Sequence, residues 1–402
     1  RDSSYSGLAR LGLPSESLSQ FPEEFRMGMR ARAETLNDVG CNAPENWDEV
    51  WRGEGIQVDV LVSVYGIDQE TIGKRVEEVR ELLEADGGMA LVGLQEAAAL
   101  VVDGKPTTKE HFGYTDGIGN PDIKGSGMPS TPGRGKPMPD GTWAPLETGE
   151  FVLGYEDESG ETPATPEPHH LCKNGSFLVY RKLHQNVASF RDYLRREGER
   201  YAGGEAKLAA KMVGRWQDGT SLALCPHAQN PKLVGDRMRN NDFSYDDDEG
   251  GAVVPLGAHI RRMNPRESFG LGGKLTNRHR IARRGLPYGT YCPPDQAVKD
   301  SDERGVIFLI INASISRQFE FVWKQWANYG NDFSQGNDRD PIVGNRSGNS
   351  KMVVQGDPQE PDSCPVHVCP DLPQFVEVRG GEYFFVPSLR ALRLIAVGKV
   401  SE

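Results

Sequence analysis

From residue 56 to 64 the chain alternates strictly, with Ile56, Val58, Val60, Val62 and Val64 on one side and Gln57, Asp59 and Ser63 on the other. A period of two marks a strand with one buried face, so a strand is expected over 56–66. Asp68 then opens a helix in which Ile72, Val76, Val79 and Leu83 recur at helical spacing, and Asp86-Gly87-Gly88 stops it. A second strand is expected over 89–102, with Gly93 marking a bulge. A strand, a helix and a strand of this size predict an α+β fold, with helices layered on one face of a sheet.

From residue 120 to 168 the texture changes. Proline, glycine and serine crowd 121–142, and 156–167 is acidic, which reads as a long excursion between two domains. Regular patterning returns with a strand at 176–180 and a helix carrying Val187, Phe190 and Leu194. A strand at 305–312, a helix over 316–326 and the closing run Tyr383-Phe384-Phe385-Val386 follow. A chain of 402 residues exceeds the usual size of one core. Two domains are therefore expected, over 1–168 and 169–402.

Composition narrows the function classes. A hydrophobic content of 37% and a charged content of 26% describe an ordinary soluble protein. The net charge of −12 argues against nonspecific nucleic-acid binding, which needs basic surface to displace phosphate counterions. The longest strongly apolar run, 306–311, is far short of the ~20 residues of a spanning helix, so no membrane partner is expected. The first residues lack the apolar core of a signal peptide, and localisation leans to the cytoplasm. Arg1 is an unusual first residue, which leaves an upstream segment and secretion open. Six cysteines are too few for a disulfide scaffold of this length.

Two stretches carry chemistry. The loop His111-Phe112-Gly113-Tyr114-Thr115-Asp116-Gly117-Ile118-Gly119-Asn120-Pro121 offers a carboxylate on a glycine-rich turn. Its Gly-x-x-Asp-Gly core also suits a plain turn, in which Gly117 takes positive φ and Asp116 caps nearby backbone. The run Gly257-Ala258-His259-Ile260-Arg261-Arg262-Met263-Asn264-Pro265-Arg266 places an imidazole beside guanidinium groups. A buried imidazole can bind haem iron, and an adjacent arginine such as Arg261 can hold a propionate through a charge-assisted fork. In an acidic chain, Arg261, Arg262 and Arg266 suit one bound anion better than a polymer. No Cys-x-x-Cys-His occurs, so a haem would be held without thioether links. Arg283 and Arg284 precede a Pro-Tyr-Gly turn, where arginines are usually solvated.

Other motifs read blandly. His169-His170-Leu171-Cys172 and the stretch from Cys364 to Cys369 carry metal-capable side chains at spacings that match no zinc template. A Cys364–Cys369 disulfide or free thiols suit the second equally well. Asp246-Asp247-Asp248-Glu249 lacks the alternation of a calcium loop and reads as solvated.

Taken together, these stretches resemble the dye-decolorising peroxidase family in its longer-chain branch. Further segments carry the resemblance: Leu11-Gly12-Leu13-Pro14, Phe21-Pro22-Glu23-Glu24-Phe25, Ala43-Pro44-Glu45-Asn46-Trp47, and Asn312-Ala313-Ser314-Ile315-Ser316-Arg317-Gln318-Phe319-Glu320. The family begins upstream of Arg1. The resemblance implies two ferredoxin-like domains of the dimeric α+β barrel type, with one haem b held mainly by the second. It implies His259 as the proximal iron ligand, Asp116 as the distal acid/base with Gly113 and Gly117 shaping its loop, and Arg283 as the distal arginine. Tyr288 occupies a position where some members carry a radical to surface substrates, with Trp323 and Trp326 as further candidates that also suit ordinary packing. For the acidic partner of His259, Asp340 is favoured over Glu320.

The function so implied is peroxidation. Hydrogen peroxide oxidises the haem to a high-valent ferryl state, which then oxidises dyes, phenolics and other one-electron donors. Asp116 would move the peroxide proton and Arg283 would stabilise the charge of O–O cleavage. An aspartate base predicts an optimum on the acid side. Rival readings are a non-catalytic haem carrier, a haem-free ferredoxin-like regulatory protein, and a metal-dependent hydrolase using His169, His170 and Cys172. A homo-oligomer stays open.

Overall fold

The computed structural model describes residues 2–53, 55–346, 348–356 and 365–399. Its centre is a six-stranded sheet built from β1 (Asp2–Ser3), β2 (Val60–Leu61), β3 (Ser176–Gln185), β4 (Ala282–Tyr288), β5 (Gly305–Asn312) and β6 (Val376–Val386). The spatial order is β2-β1-β6-β3-β5-β4, and every neighbouring pair is antiparallel. The sheet therefore joins strands from both sides of residue 168. With its helices it gives the expected α+β class.

Strand β3 lies at the centre and is buried along its whole length. The strand runs five residues beyond the expected end at Tyr180, through Arg181 and Lys182 to Gln185. It continues because both cations have carboxylate partners: Arg181 Nη2 lies 2.5 Å from Asp38 Oδ1, and Lys182 Nζ lies 2.6 Å from Asp48 Oδ2. Paired in this way, a charge can enter a core. Strand β5 spans the expected 305–312, and β6 extends the expected closing run by seven residues at its start, from Tyr383 back to Val376.

The helices expected near 68–86 and 187–194 are α1 (Gln69–Asp86), with Asp68 accepting from Thr71 N, and α2 (Val187–Gly198). Helix α3 (Gly204–Val213) packs on α2. The helix expected over 316–326 is wound in π turns, Ser316–Glu320 and Val322–Ala327; such turns concentrate at functional sites.

Two expectations need correction. The strands expected over 56–66 and 89–102 shrink to Val60–Leu61 and Val101–Val102. Their alternation is real, but Val62, Tyr65, Leu91 and Leu94 are exposed, so the apolar face lacks the cover that would fix a longer ladder. The stretch 120–168 is also no loose linker. Leu146 and Phe151 are fully buried, and the carboxylates of Glu150 and Asp157 meet Arg317 at 2.8 and 2.9 Å.

Candidate active site

The loop carrying Asp116 is held from below by buried polar groups. Glu110 accepts from the backbone N–H of Phe112 and Tyr114, each at 2.8 Å, and from the side chain of Gln185. His111 donates from Nε2 to the carbonyl of Tyr288 at 2.8 Å. Burial pushes the His111 imidazole down to about 4, so at neutral pH it is an uncharged strut. Gly113 and Gly117 have φ of +94° and +81°, the left-handed region that favours glycine.

This scaffold lays Asp116 over strand β4. Asp116 Oδ1 is 2.6 Å from Arg283 Nη1, with both side chains about a quarter exposed, at 28% and 26%. The contact is an ion pair rather than an aligned hydrogen bond, because Nη1 is buried and keeps no hydrogen-bond partner. Two residues fix the pair. Asn120 Nδ2 donates to the carbonyl of Arg283 at 2.7 Å while its Oδ1 accepts from Arg283 N at 3.1 Å, so one amide side chain engages both backbone groups as a neighbouring strand would. Gly285 supplies room: a Cβ there would lie 2.5 Å from Asp116 Oδ2.

His259 opens a short helix, α4 (His259–Met263), which packs on α3 and on the π turn Val322–Ala327. Its Nδ1 lies 2.9 Å from Asp340 Oδ2, and Asp340 is fully buried. The other carboxylate oxygen accepts from Ile342 N and Val343 N at 2.8 and 2.9 Å. Burial opposes the charge on Asp340. The His259 imidazole, Arg262 and the Val343 N–H outweigh it and hold the carboxyl below the usual range. An ionised Asp340 accepts a hydrogen bond from Nδ1–H, which leaves the lone pair on Nε2 and a quarter-exposed ring able to ligate a metal. Glu320 lies elsewhere, bound by Arg32 through two contacts of 2.5 and 2.6 Å and by the hydroxyl of Tyr383.

Several expectations fail on burial. Arg261 is 2% exposed and is held by Asp248, by the carbonyls of Val254 and Asp248, and by the ring of Tyr245 4.4 Å away, so it is a brace and not a free propionate partner. Arg262 donates to the carbonyls of Trp326 and Asp338, and Arg266 to those of Phe243 and Asn241. The basic cluster is thus internal. Asp248 also accepts from Val253 N and Val254 N, so the acidic run is anchored there rather than solvated. Tyr288, Trp323 and Trp326 are 5%, 7% and 1% exposed, and none is a surface aromatic. Arg284 stacks over Tyr65 at 4.7 Å. Among the described residues no group of three His, Cys, Asp or Glu is placed to hold a metal ion, and burial pushes the Cys172 thiol up to about 12. The expected Cys364–Cys369 pairing lies outside the described residues. Sequence reasoning gave no role to Asn120 or Gly285; the only available signals were the Asn120-Pro121 pair after the motif and a glycine two residues beyond Arg283.

No family model matches the chain. Among known proteins it is similar to Peroxidase 2 of Mycetinis scorodonius, 31% identical over 97% of this chain and 74% of that protein. It is also 30% identical to a dye-decolorizing peroxidase of Mycena epipterygia, over 98% of this chain and 75% of that one. Its fold matches a dye-decolorizing peroxidase solved in complex with 2,6-dimethoxyphenol, with a TM-score of 0.76 and 25% identity over 100% of this chain and 84% of that one. With the acid–arginine pair and the carboxylate-backed histidine, these likenesses identify the chain as a member of the dye-decolorizing peroxidase family, an oxidoreductase that acts on peroxide.

Proposed function

We propose that this peroxidase works through one b-type haem, with His259 as the axial ligand and with Asp116 and Arg283 acting on hydrogen peroxide. The observation that carries this reading is the bond from His259 to the buried, ionised Asp340, which prepares Nε2 for iron and makes the imidazole a stronger donor. The Arg283 guanidinium held 2.6 Å from the Asp116 carboxylate is the second support, a fixed cation beside a proton acceptor. When bound, the haem would supply iron to accept the peroxide oxygen and to store its oxidising power.

The protein's share of the chemistry is proton movement and charge stabilisation. Asp116 takes the proton from one peroxide oxygen and delivers it to the other, so that water leaves. Arg283 stabilises the negative charge that develops as the O–O bond lengthens; a fixed cation needs no reorganisation at that moment. The reducing partners are phenols, dyes and similar one-electron donors. The architecture that supports the site is read as two ferredoxin-like units over 1–168 and 169–402, the second holding the haem.

Titration of the purified chain with haemin tests this reading. A Soret band should form and change on adding one equivalent of peroxide, and His259→Ala should abolish it. Asp116→Asn should keep the band but lower kcat/KM for peroxide by about 10²–10⁴-fold, the usual worth of a positioned acid/base. A wild-type protein that takes up no haemin overturns the proposal.

A further inference from the structure

Oxidising a tyrosine near neutral pH removes a proton as well as an electron, because the phenol radical cation is a strong acid. A buried tyrosine therefore relays electrons only where its hydroxyl already faces a base. Tyr288 fails that requirement: its hydroxyl is buried without a partner, and the Lys182 ammonium lies 4.7 Å from its ring centre, opposing positive charge. Trp326 Nε1 is likewise buried and unpartnered, and the Arg181 guanidinium lies 4.5 Å over the ring of Trp323.

Tyr383 meets the requirement at its hydroxyl; Trp323 also reaches a carboxylate, that of Asp38, but carries the Arg181 guanidinium 4.5 Å over its ring. Tyr383 is fully buried, and its hydroxyl donates to Glu320 Oε1 at 2.9 Å. Arg32 grips both oxygens of Glu320, and its side chain is 16% exposed, so the pair leads outward. The register also places Tyr383 on the Arg283 face. Arg283 pairs with Ile310, Ile310 with Val179 and Val179 with Tyr383, which makes one row across four strands. Three strand spacings of ~4.8 Å separate the row's ends by roughly 14 Å. Tyr288, five residues from Arg283 on the same strand, has the opposite parity and points from the other face.

We infer that Tyr383 is a redox relay of this peroxidase, with Glu320 as its proton acceptor; this rests on the haem reading above. Tyr383 gives one electron to the peroxide-oxidised centre, and its phenolic proton passes to Glu320 Oε1, leaving a neutral tyrosyl radical and a neutral carboxylic acid. A phenolic donor then returns one electron, and Glu320 returns the proton to the phenolic oxygen. During the radical's lifetime the partly exposed Arg32 guanidinium is stabilised by solvent in place of its ionised partner.

The test is electron paramagnetic resonance on the haem-loaded full chain, frozen after one equivalent of peroxide, with and without ring-deuterated tyrosine. The expected result is a signal that narrows with the label, survives Tyr288→Phe, disappears in Tyr383→Phe and falls in Glu320→Gln. A signal that does not narrow, or one lost in Tyr288→Phe and intact in Tyr383→Phe, overturns the proposal. If Tyr383→Phe does not fold, an undiminished signal in Glu320→Gln overturns it equally, since that change keeps the phenol and removes the base. A Soret band with the radical elsewhere sinks the relay alone. The absence of a Soret band sinks the haem reading and the relay together.

Discussion

At Gly285 the missing side chain is the functional feature. A Cβ would come within 2.5 Å of Asp116 Oδ2, so Gly285→Ala should push the carboxylate off Arg283 while leaving His259, the proposed haem ligand, untouched. Displacing a catalytic group by about 1 Å costs on the order of 10²-fold. We expect that loss in kcat/KM for peroxide with an unaltered Soret band, and steady-state kinetics at limiting peroxide would show it. Asp116, His259 and Arg283 could be singled out in the sequence through the motifs that carry the family resemblance, and the fold brings Asp116 and Arg283 together. Gly285 and Asn120 could not be singled out. A strand glycine reads as a weak point, and an amide that copies a strand's hydrogen bonds across 163 residues has no local signature. Tyr288, which the family resemblance marked as a radical carrier, lies at an odd offset from Arg283 and so on the other face of the sheet, which the sequence alone does not show.

Among the elements, those whose hydrophobic period matched a covered surface were found where expected, such as β5 and α2. Where charges were paired inside the protein, pattern reading stopped short. Strand β3 lost its second half to Arg181 and Lys182, and the proline-rich stretch 120–168 passed for a linker because Glu150 and Asp157 look solvated. Asp157 shows what that stretch contributes. Although burial opposes its charge, the carboxyl is held well below the usual range by Ser159, Arg317 and Arg278. A depressed carboxyl adds stability above its unfolded value of about 4, and the contribution is lost as pH falls through the folded value. Thermal melts between pH 5 and 2, taken over that range for comparison, should therefore show a shallower acid limb for Asp157→Asn than for the wild type, with a lower Tm at neutral pH. Equal slopes would refute the anchoring role.

For the molecule as a whole, stability on the acid side meets a limit in the strut beneath the Asp116 loop. The folded imidazole of His111 titrates at about 4 against an ordinary 6.5, so the folded state binds fewer protons than the unfolded chain in that interval. The stability it contributes is complete above pH 6.5 and declines as pH falls towards 4. His111→Gln, which keeps a donor for the Tyr288 carbonyl, should flatten Tm against pH across that window; an unchanged slope would show that the loss arises elsewhere. The order of strands has a different consequence, for synthesis. Strand β6 lies between β1 and β3, and Ser3 pairs with Phe385. Strands β1 and β2 have no place in the sheet until residue 386 has been translated, so the central seam stays open up to that point. A premature stop ahead of Val376 would remove the sheet's middle, not its edge, and strand both early segments.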